Sequence, residues 1–253
     1  MNNKVIYTCL VGNYDVLRRP LALDESYDYI CFSNDIKEKR VGVWQIRPIP
    51  FEHKDKARLS RYVKILPHRV FEDYEWSLWI DANIQITGKK MYSIVEDKIA
   101  AGGNVYQVTH CLPPRDCTYE EIKFAHLSNR SELFKPFFQY WHLKREKFPT
   151  HWGLFENNLI LRKHNDPRIK KVSEEWWEEF MTYTARDQFS LMYVYWKNNF
   201  MPELLLPSDR NTRNVEFLKW NPHSVLPEKT FFYRQNFRIR EWLSHIFKVL
   251  DKI

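Results

Sequence analysis

Two oxygen-bearing side chains follow an apolar segment in the first half of the chain. The segment Trp76–Ile80 is almost continuously apolar, and Asp81, Ala82 and Asn83 come directly after it. Such a run predicts a buried central strand, and open α/β sheets bind ligands at the carboxyl ends of their strands. Asp81 and Asn83 can both reach a hard cation or a sugar hydroxyl. Because Asp and Asn are also ordinary turn residues, the pattern alone leaves a turn and a ligand site as alternatives.

The second feature with a candidate chemical role is the basic face of a predicted helix. Residues 54–66 have helical spacing and end before Pro67. Their apolar side chains fall on one face, which predicts packing on a sheet. Like charges at helical spacing repel, and arginine binds phosphate through paired hydrogen bonds. We therefore interpret the other face as an anion site, with solvated charge as the alternative; its basic residues are Lys54, Arg58, Arg61 and Lys64.

Two further carboxylates stand at the ends of predicted elements. Glu156 and Asn157 come just before a predicted strand, residues 158–162. Asp187, followed by Gln188, opens a predicted helix, residues 186–196. Each carboxylate either caps its element or faces a ligand.

A polar loop follows a predicted strand at residues 105–109. It contains His110 and Arg115 and is stiffened by two prolines. The spacing of Thr118 and Glu121 resembles a capping box for the next helix. Cys111 and Cys117 can approach each other in this loop, although free thiols are the favoured interpretation.

The composition bounds the function classes. The chain has 253 residues, 6 glycines and a formal net charge of +7. Neither a dinucleotide-binding fingerprint nor a phosphate-binding P-loop occurs, and the positive charge favours an anionic partner. We find no signal-peptide core and no apolar run long enough to span a bilayer, so we expect a cytoplasmic protein, with peripheral contact at the inner face of the membrane as an option.

The order of the elements predicts an α/β fold. Strands are predicted near residues 5–11, 27–32, 44–49, 76–80, 105–109, 158–162 and 202–207, and helices near 54–66, 91–101, 119–147, 174–181 and 186–196. We expect one domain over residues 1–230 and a basic amphipathic helix over residues 231–253. That helix can pack on the domain, pair with a second copy in a homodimer, or lie on an anionic membrane; packing or pairing is the favoured interpretation.

Six ordered blocks resemble a known family, the TOD1/MUCI70 glycosyltransferase-like domain. They are residues 7–15, 27–34, 58–68, 77–83, 156–165 and 187–190. The resemblance implies a GT-A-like fold of the nucleotide-diphospho-sugar transferases, with a mixed central sheet flanked by helices. It also implies a nucleotide-sugar donor, most simply a UDP-sugar, and a glycan or lipid-linked acceptor.

The resemblance assigns roles to most of the candidate residues. Asp81 and Asn83 stand where such enzymes carry an Asp-x-Asp motif for a divalent cation, Mn²⁺ or Mg²⁺, and the ribose. Asn83 replaces the second carboxylate, and an amide is a weaker metal ligand; His223 is the candidate third ligand. The residues assigned to binding the base, ribose and phosphates of the donor are Thr8, Gly12, Tyr14, Asn34, Asp35, Arg58, Arg61 and Lys64.

The leading functional hypothesis is sugar transfer to a growing cell-surface polysaccharide of the capsule or O-antigen type. Asp187 is favoured over Glu156 as the catalytic carboxylate, while His110, Arg115, Asn157 and Gln188 face the sugar or the acceptor. A ceramidase-like hydrolase is one alternative, but no HExxH or GxSxG motif occurs. A non-catalytic module for an anionic ligand or nucleic acid is the other, and no RNA-binding signature supports a nucleic-acid partner.

Overall fold

A computed structural model describes residues 2–12, 14–110, 115–223 and 231–252, with side chains from residue 236 onward in the last range. The strands are β1 Lys4–Cys9, β2 Tyr27–Phe32, β3 Arg40–Val41, β4 Trp44–Arg47, β5 Trp76–Ile80, β6 Ile84–Ile86, β7 Val105–Thr109, β8 Phe155–Arg162, β9 Glu203–Leu204 and β10 Leu218–Trp220. The helices are α1 Lys56–Ile65, α2 Lys90–Ala101, α3 Thr118–Leu127, α4 Lys135–Arg145, α5 Pro167–Thr182, α6 Gln188–Lys197, α7 Phe231–Leu243 and α8 His245–Leu250.

A mixed sheet of eight strands forms the centre of the fold. Its order is β3-β4-β2-β1-β5-β8-β7-β9, and β6 pairs with β10 in a separate two-stranded sheet. Strands β4, β2, β1 and β5 run parallel, whereas β8 runs antiparallel to both β5 and β7. The carboxyl ends of β1, β2 and β5 therefore meet at one edge, where a ligand site is expected.

Two hydrophobic clusters cover the two faces of this sheet. On one face Tyr7 and Trp79 pack with residues of α1, α5 and α6. On the other face Ile6 and Leu78 pack with α2 and the small β6–β10 sheet. Successive residues of β1 and β5 enter opposite clusters, as the alternation of side chains along a strand requires. The predicted mixed α/β sheet with flanking helices is confirmed.

Two helices begin differently from the prediction. Helix α5 starts at Pro167 rather than near residue 174, because Asp166 accepts hydrogen bonds from the amides of Arg168 and Ile169. The helical region predicted over 119–147 is divided into α3 and α4, and Asn129 has a positive φ of 56° in the connection. A positive φ cannot continue a right-handed helix.

The C-terminal segment packs on the domain as two helices. Leu243, Phe247 and Leu250 are buried in the hydrophobic cluster that also contains α3 and α4, and α7 and α8 meet at Ser244. No described helix is both long and apolar enough to cross a membrane. Among the described cysteines, Cys9, Cys31 and Cys117 are free thiols; Cys111 lies outside the described residues, so its predicted approach to Cys117 stays a prediction.

Candidate functional site

A buried lysine between two carboxylates is the centre of the site. Nζ of Lys64 lies 2.7 Å from Oδ2 of Asp187 and 3.4 Å from Oδ1 of Asp81. Its side chain is only 2% exposed and its ammonium lies 5.3 Å from the centre of the Trp79 ring. Helix α1, strand β5 and the start of α6 thus bring together three charged residues that are far apart in the sequence.

Asp187 belongs to this site and does not cap α6. No side-chain capping hydrogen bond forms at the start of that helix. The carboxylate instead faces Lys64 and Arg61, whose Nε lies 3.7 Å from Oδ1, and it accepts a long hydrogen bond of 3.4 Å from Asn157. Burial by itself would raise the pKa of Asp187, but Lys64 and Arg61 outweigh it and hold that pKa well below its usual range.

Two arginines at this site have buried nitrogens available for a ligand. Among the described residues, Nε of Arg61 and Nε of Arg186 are buried and make no hydrogen bond. Burial and Asp15 raise the pKa of the Tyr14 hydroxyl, while the positive charges of Arg61, Arg130 and Arg186 act to lower it. Buried guanidinium N–H groups without an acceptor are costly, and an anion would satisfy them.

Asp81 and Asn83 are positioned differently from each other. Oδ1 of Asp81 accepts a hydrogen bond of 2.7 Å from Nε1 of Trp79 as well as the contact with Lys64, and the side chain is 30% exposed. Asn83 is buried, and its amide donates to the backbone oxygen of Asn221 at 3.0 Å. Asn221 returns a hydrogen bond of 3.1 Å to the backbone oxygen of Asn83.

His223 reaches the same edge of the sheet because β10 pairs with β6. It follows Asn221 by two residues, its ring centre lies 4.7 Å from that of Tyr14 with the two rings tilted, and its Nδ1 lies 2.9 Å from Oδ2 of Asp15. In the described part of the chain, no three His, Cys, Asp or Glu side chains form a metal-binding group. Asp81 and Asn83 nevertheless fit a hard cation that takes its remaining oxygens from a bound phosphate or water.

The turn after β1 is braced by residues that were predicted to hold the nucleotide. Gly12 has a positive φ of 73° and its N–H donates to Oδ2 of Asp35 at 2.5 Å. A Cβ at Gly12 would lie 2.6 Å from Nζ of Lys56, so Lys56 covers this turn. Oδ1 of Asn34 accepts from the amide of Ile49 at 2.9 Å, and Thr8 is buried within β1. Asp35 therefore supports the turn and Asn34 the segment at Ile49, whereas Oγ1 of Thr8 is buried and makes no hydrogen bond.

Arg58 lies apart from the other basic residues of α1. Its Nη2 donates to the backbone oxygen of Tyr183 at 2.8 Å, and its guanidinium lies 5.5 Å from the centre of the Phe180 ring. Arg58 thus turns toward the end of α5, whereas Arg61 and Lys64 turn toward Asp187. Its Nη1 is buried and makes no hydrogen bond. The contact with Tyr183 favours a structural role for Arg58, and its predicted phosphate contact stays a prediction.

Strand β8 contains a β-bulge beside Glu156, one of the two predicted catalytic carboxylates. Gln107 pairs with Ile160, but the next residue, Val108, pairs with Glu156. The extra residues re-aim the side chains of β8, as bulges near active sites commonly do. Strand β8 begins at Phe155, not at 158 as predicted.

The two sides of this bulge have different partners. Asn157 donates to Asp187 and accepts from Gln107 at 3.1 Å. Glu156 instead accepts from Nη1 of Arg213 at 2.6 Å. Asn157 therefore joins the Lys64 site through its hydrogen bond to Asp187.

A second cluster adjoins the first through Arg186. Glu121 is buried and receives Nη1 of Arg115 at 2.8 Å and Nη2 of Arg186 at 3.4 Å, with Nε2 of His110 at 3.9 Å. Burial lowers the pKa of His110 although Glu121 acts in the opposite direction. Gln188 donates to the backbone oxygen of Phe155 at 3.0 Å. Sequence reasoning attributed Glu121 to capping and did not select Arg186; the position of Arg186 directly before Asp187 was the available signal.

Comparisons with known proteins relate the chain to glycosyltransferases by sequence. The chain is 25% identical over 165 residues to "Probable hexosyltransferase MUCI70" from Arabidopsis thaliana, covering 62% of this chain and 28% of the plant protein. The apo structure of the WbbM bifunctional glycosyltransferase matches 95% of this chain and 44% of its own, with 10% identity and a TM-score of 0.48. Apo mouse xyloside xylosyltransferase 1 matches 82% and 79%, with 9% identity and a TM-score of 0.39. Residues 1–218 match the family "TOD1/MUCI70, glycosyltransferase-like domain", and the chain belongs to that family.

Proposed function

We propose that this chain transfers a sugar from a nucleotide-sugar donor, in a GT-A-like site, to a growing cell-surface polysaccharide. One observation carries the proposal: Asp81 ends a central strand beside the buried Lys64–Asp187 pair, next to arginines whose Nε atoms lack an acceptor. Family membership supports sugar transfer, and the name of the plant relative favours a hexose. We propose that the reaction takes place in the cytoplasm, where free thiols such as that of the buried Cys31 are the rule.

The donor diphosphate would bind between α1 and the start of α6. Arg61 and Arg186 offer buried N–H groups, and Lys56 adds a cation at the turn after β1. Fixed positive groups of this kind stabilise the charge that develops on a departing diphosphate. The uracil base of a UDP-sugar is the donor base we favour, stacked near the half-exposed ring of Tyr14.

A divalent cation, Mn²⁺ or Mg²⁺, fits beside this diphosphate. Asp81 and Asn83 would hold it, with His223 as a third ligand if its contact with Asp15 opens. When bound, the cation supplies further neutralisation of the leaving diphosphate. Lys64 provides a permanent positive charge at the same place, because its ammonium already contacts Asp81.

The environment of Asp187 points to sugar binding rather than proton transfer. A general base works best when its pKa lies near the working pH, and the pKa of Asp187 is held far lower by Lys64 and Arg61. A permanently ionised carboxylate is instead a strong hydrogen-bond acceptor for sugar hydroxyls. Of the two roles that the sequence left open for Asp187, proton transfer and sugar binding, this assignment takes the second.

The acceptor would enter on the side of the second cluster. Glu121, His110 and Arg115 line that side with Arg186, and Glu156 lies on the neighbouring strand. These groups suit the hydroxyls of a glycan or of a lipid-linked sugar.

Release of the nucleotide from a panel of sugar donors tests the proposal, measured as UDP from UDP-sugars, GDP from GDP-sugars and CMP from CMP-sugars. We expect one UDP-sugar to be turned over, and Asp81→Ala to lower the rate about 100-fold or more. Asp97→Ala on the exposed side of α2 is the matched control and should keep the wild-type rate. Wild-type rates in Asp81→Ala, or thermal stabilisation by single-stranded RNA and by no nucleotide, would refute the proposal.

A further inference from the structure

Helix α4 exposes a row of aromatic side chains. Phe134, Phe138 and Trp141 are spaced by four and three residues, which places them on one side of the helix. All three are exposed, and Phe138 is 64% accessible. Clustered exposed aromatics on a single protein usually mark an interaction surface. The inward side of the same helix already has partners, since Phe137 and Tyr140 are buried in the core.

The C-terminal helices, which adjoin α4, expose further apolar residues. Phe247 of α8 contacts the rings of Phe137 and Tyr140 at 4.6 and 5.1 Å, so α8 packs directly on α4. Arg240 of α7 donates to the backbone oxygen of Ser131 at 2.7 Å, just before α4. We call the outward apolar residues of these three helices the docking surface: Phe134, Phe138, Trp141, Ile239, Trp242, Ile246 and Val249.

The surroundings of the docking surface are basic. Residues 134–147 contain four Lys or Arg and one Glu, a net charge of 4 − 1 = +3. Residues 236–252 contain four Lys or Arg and two acidic residues, a net charge of 4 − 2 = +2, and three of the four basic residues, Arg238, Lys248 and Lys252, are exposed while Arg240 is buried. One of those acids, Asp251, is already neutralised by Lys123 at 2.8 Å. The guanidinium of Arg145 lies 5.4 Å from the centre of the Trp141 ring, so charge and aromatic area adjoin each other.

We propose that this surface docks on an anionic lipid bilayer. Tryptophan and phenylalanine insert into the interfacial region of a bilayer, and neighbouring lysines and arginines attract anionic headgroups. A second copy of the chain fits less well, because a two-fold interface sets the same patch against itself and would oppose two positively charged surfaces.

The position of the surface suits a lipid-linked acceptor, and only this link depends on the proposed function. The segment between α3 and α4 contacts both regions. Glu132 accepts from the amide of Ala185 at 3.0 Å beside the site, while Arg240 holds Ser131 from the side of the tail. Docking through α4, α7 and α8 would therefore bring the acceptor side of the cleft close to the bilayer.

Vesicle co-sedimentation of the full chain tests this surface without using the enzymatic reaction. We expect binding to vesicles that mix phosphatidylcholine with phosphatidylglycerol, weaker binding to pure phosphatidylcholine, and loss of binding in high salt. Trp242→Ser should lower the partition coefficient roughly tenfold. The double variant Lys248→Gln/Lys252→Gln should lower it by about fivefold for each charge removed.

Matched variants at other exposed positions are the controls. Leu21→Ser removes an apolar side chain that is 70% exposed outside the docking surface, and Lys39→Gln removes an exposed charge; both should bind like wild type. Unchanged binding in Trp242→Ser would overturn the proposal. So would absence of binding to anionic vesicles, or a dimer seen by light scattering that Trp242→Ser dissociates while vesicle binding is unaffected. Diphosphate release in solution is measured separately, so failure here leaves the proposed function standing.

Discussion

Removing the buried ammonium with Lys64→Met probes the arrangement on which the site depends. The substitution keeps the length of the side chain but deletes the charge that lies 2.7 Å from Asp187 and 3.4 Å from Asp81. Asp187 would stay buried, with Arg61 at 3.7 Å and the more weakly acting Arg186 as its remaining opposite charges. The free energy of unfolding should therefore fall, because a buried carboxylate loses its closest opposite charge.

The size of this effect follows from burial. Deleting one member of a buried ion pair costs about 3–5 kcal/mol. Asp81 is 30% exposed and stays solvated, and Arg61 keeps part of the attraction, so we expect the lower end, about 3 kcal/mol at pH 7. For a chain of this size that corresponds to a fall of roughly 6–12 °C in melting temperature.

The pH dependence distinguishes this cause from a packing defect. In the wild type the pKa of Asp187 is lowered, so its contribution to stability is present above the pKa of an unfolded Asp, about 3.9, and is lost as pH falls through the folded pKa. Without Lys64, burial raises the pKa of Asp187. As the pH falls, Asp187 of the variant takes up a proton, and the destabilising buried charge is removed. The stability difference between wild type and Lys64→Met should therefore shrink from pH 7 toward pH 4.5.

Urea unfolding at both pH values measures this difference. Lys163→Met is the matched control, because Lys163 forms an exposed ion pair with Glu75 at 3.2 Å, and it should change stability by less than about 1 kcal/mol. A loss below 1 kcal/mol for Lys64→Met, or an equal loss at both pH values, would refute the electrostatic account of the site.

Three further substitutions distinguish residues that bind the donor from residues that stabilise the fold. Arg61→Leu should weaken UDP binding roughly tenfold or more, because a charge-assisted contact is lost; calorimetry with UDP checks this, and unchanged affinity counts against the diphosphate site. Arg58→Leu should lower the melting temperature yet leave diphosphate release per folded molecule unchanged, since Arg58 holds Tyr183. Gln107→Leu leaves Asn157 and Tyr195 without their partner and should cost about 1–3 kcal/mol of unfolding free energy; a stable variant would contradict the role of that buried network.

Much of the sheet could be predicted from local sequence. Strands β2, β5 and β7 have the predicted bounds, because each is a short apolar segment closed by polar turn residues. Helix α5 was predicted too short because its first turn is basic, and the capping by Asp166 carried the signal that was missed. The division between α3 and α4 depends on a left-handed residue, Asn129, that hydrophobic periodicity does not reveal.

The individual residues of the site were predicted from the sequence, but their proximity in the fold was not. Asp81, Lys64 and Asp187 were each selected, yet their meeting depends on long-range packing of α1 and α6 on the sheet. The bulge in β8 sends Glu156 and Asn157 to different partners, and strand alternation alone cannot reveal such a shift. Lys56 was passed over because its contact with Gly12 is made between separate elements.

A crystal of the chain soaked with UDP and Mn²⁺ tests the central claim most directly. The account predicts diphosphate oxygens within hydrogen-bond distance of Arg61, with the cation held at Asp81 beside the Lys64–Asp187 pair. Diphosphate bound elsewhere on the chain, with Arg61 and Asp81 both free of it, would contradict the account.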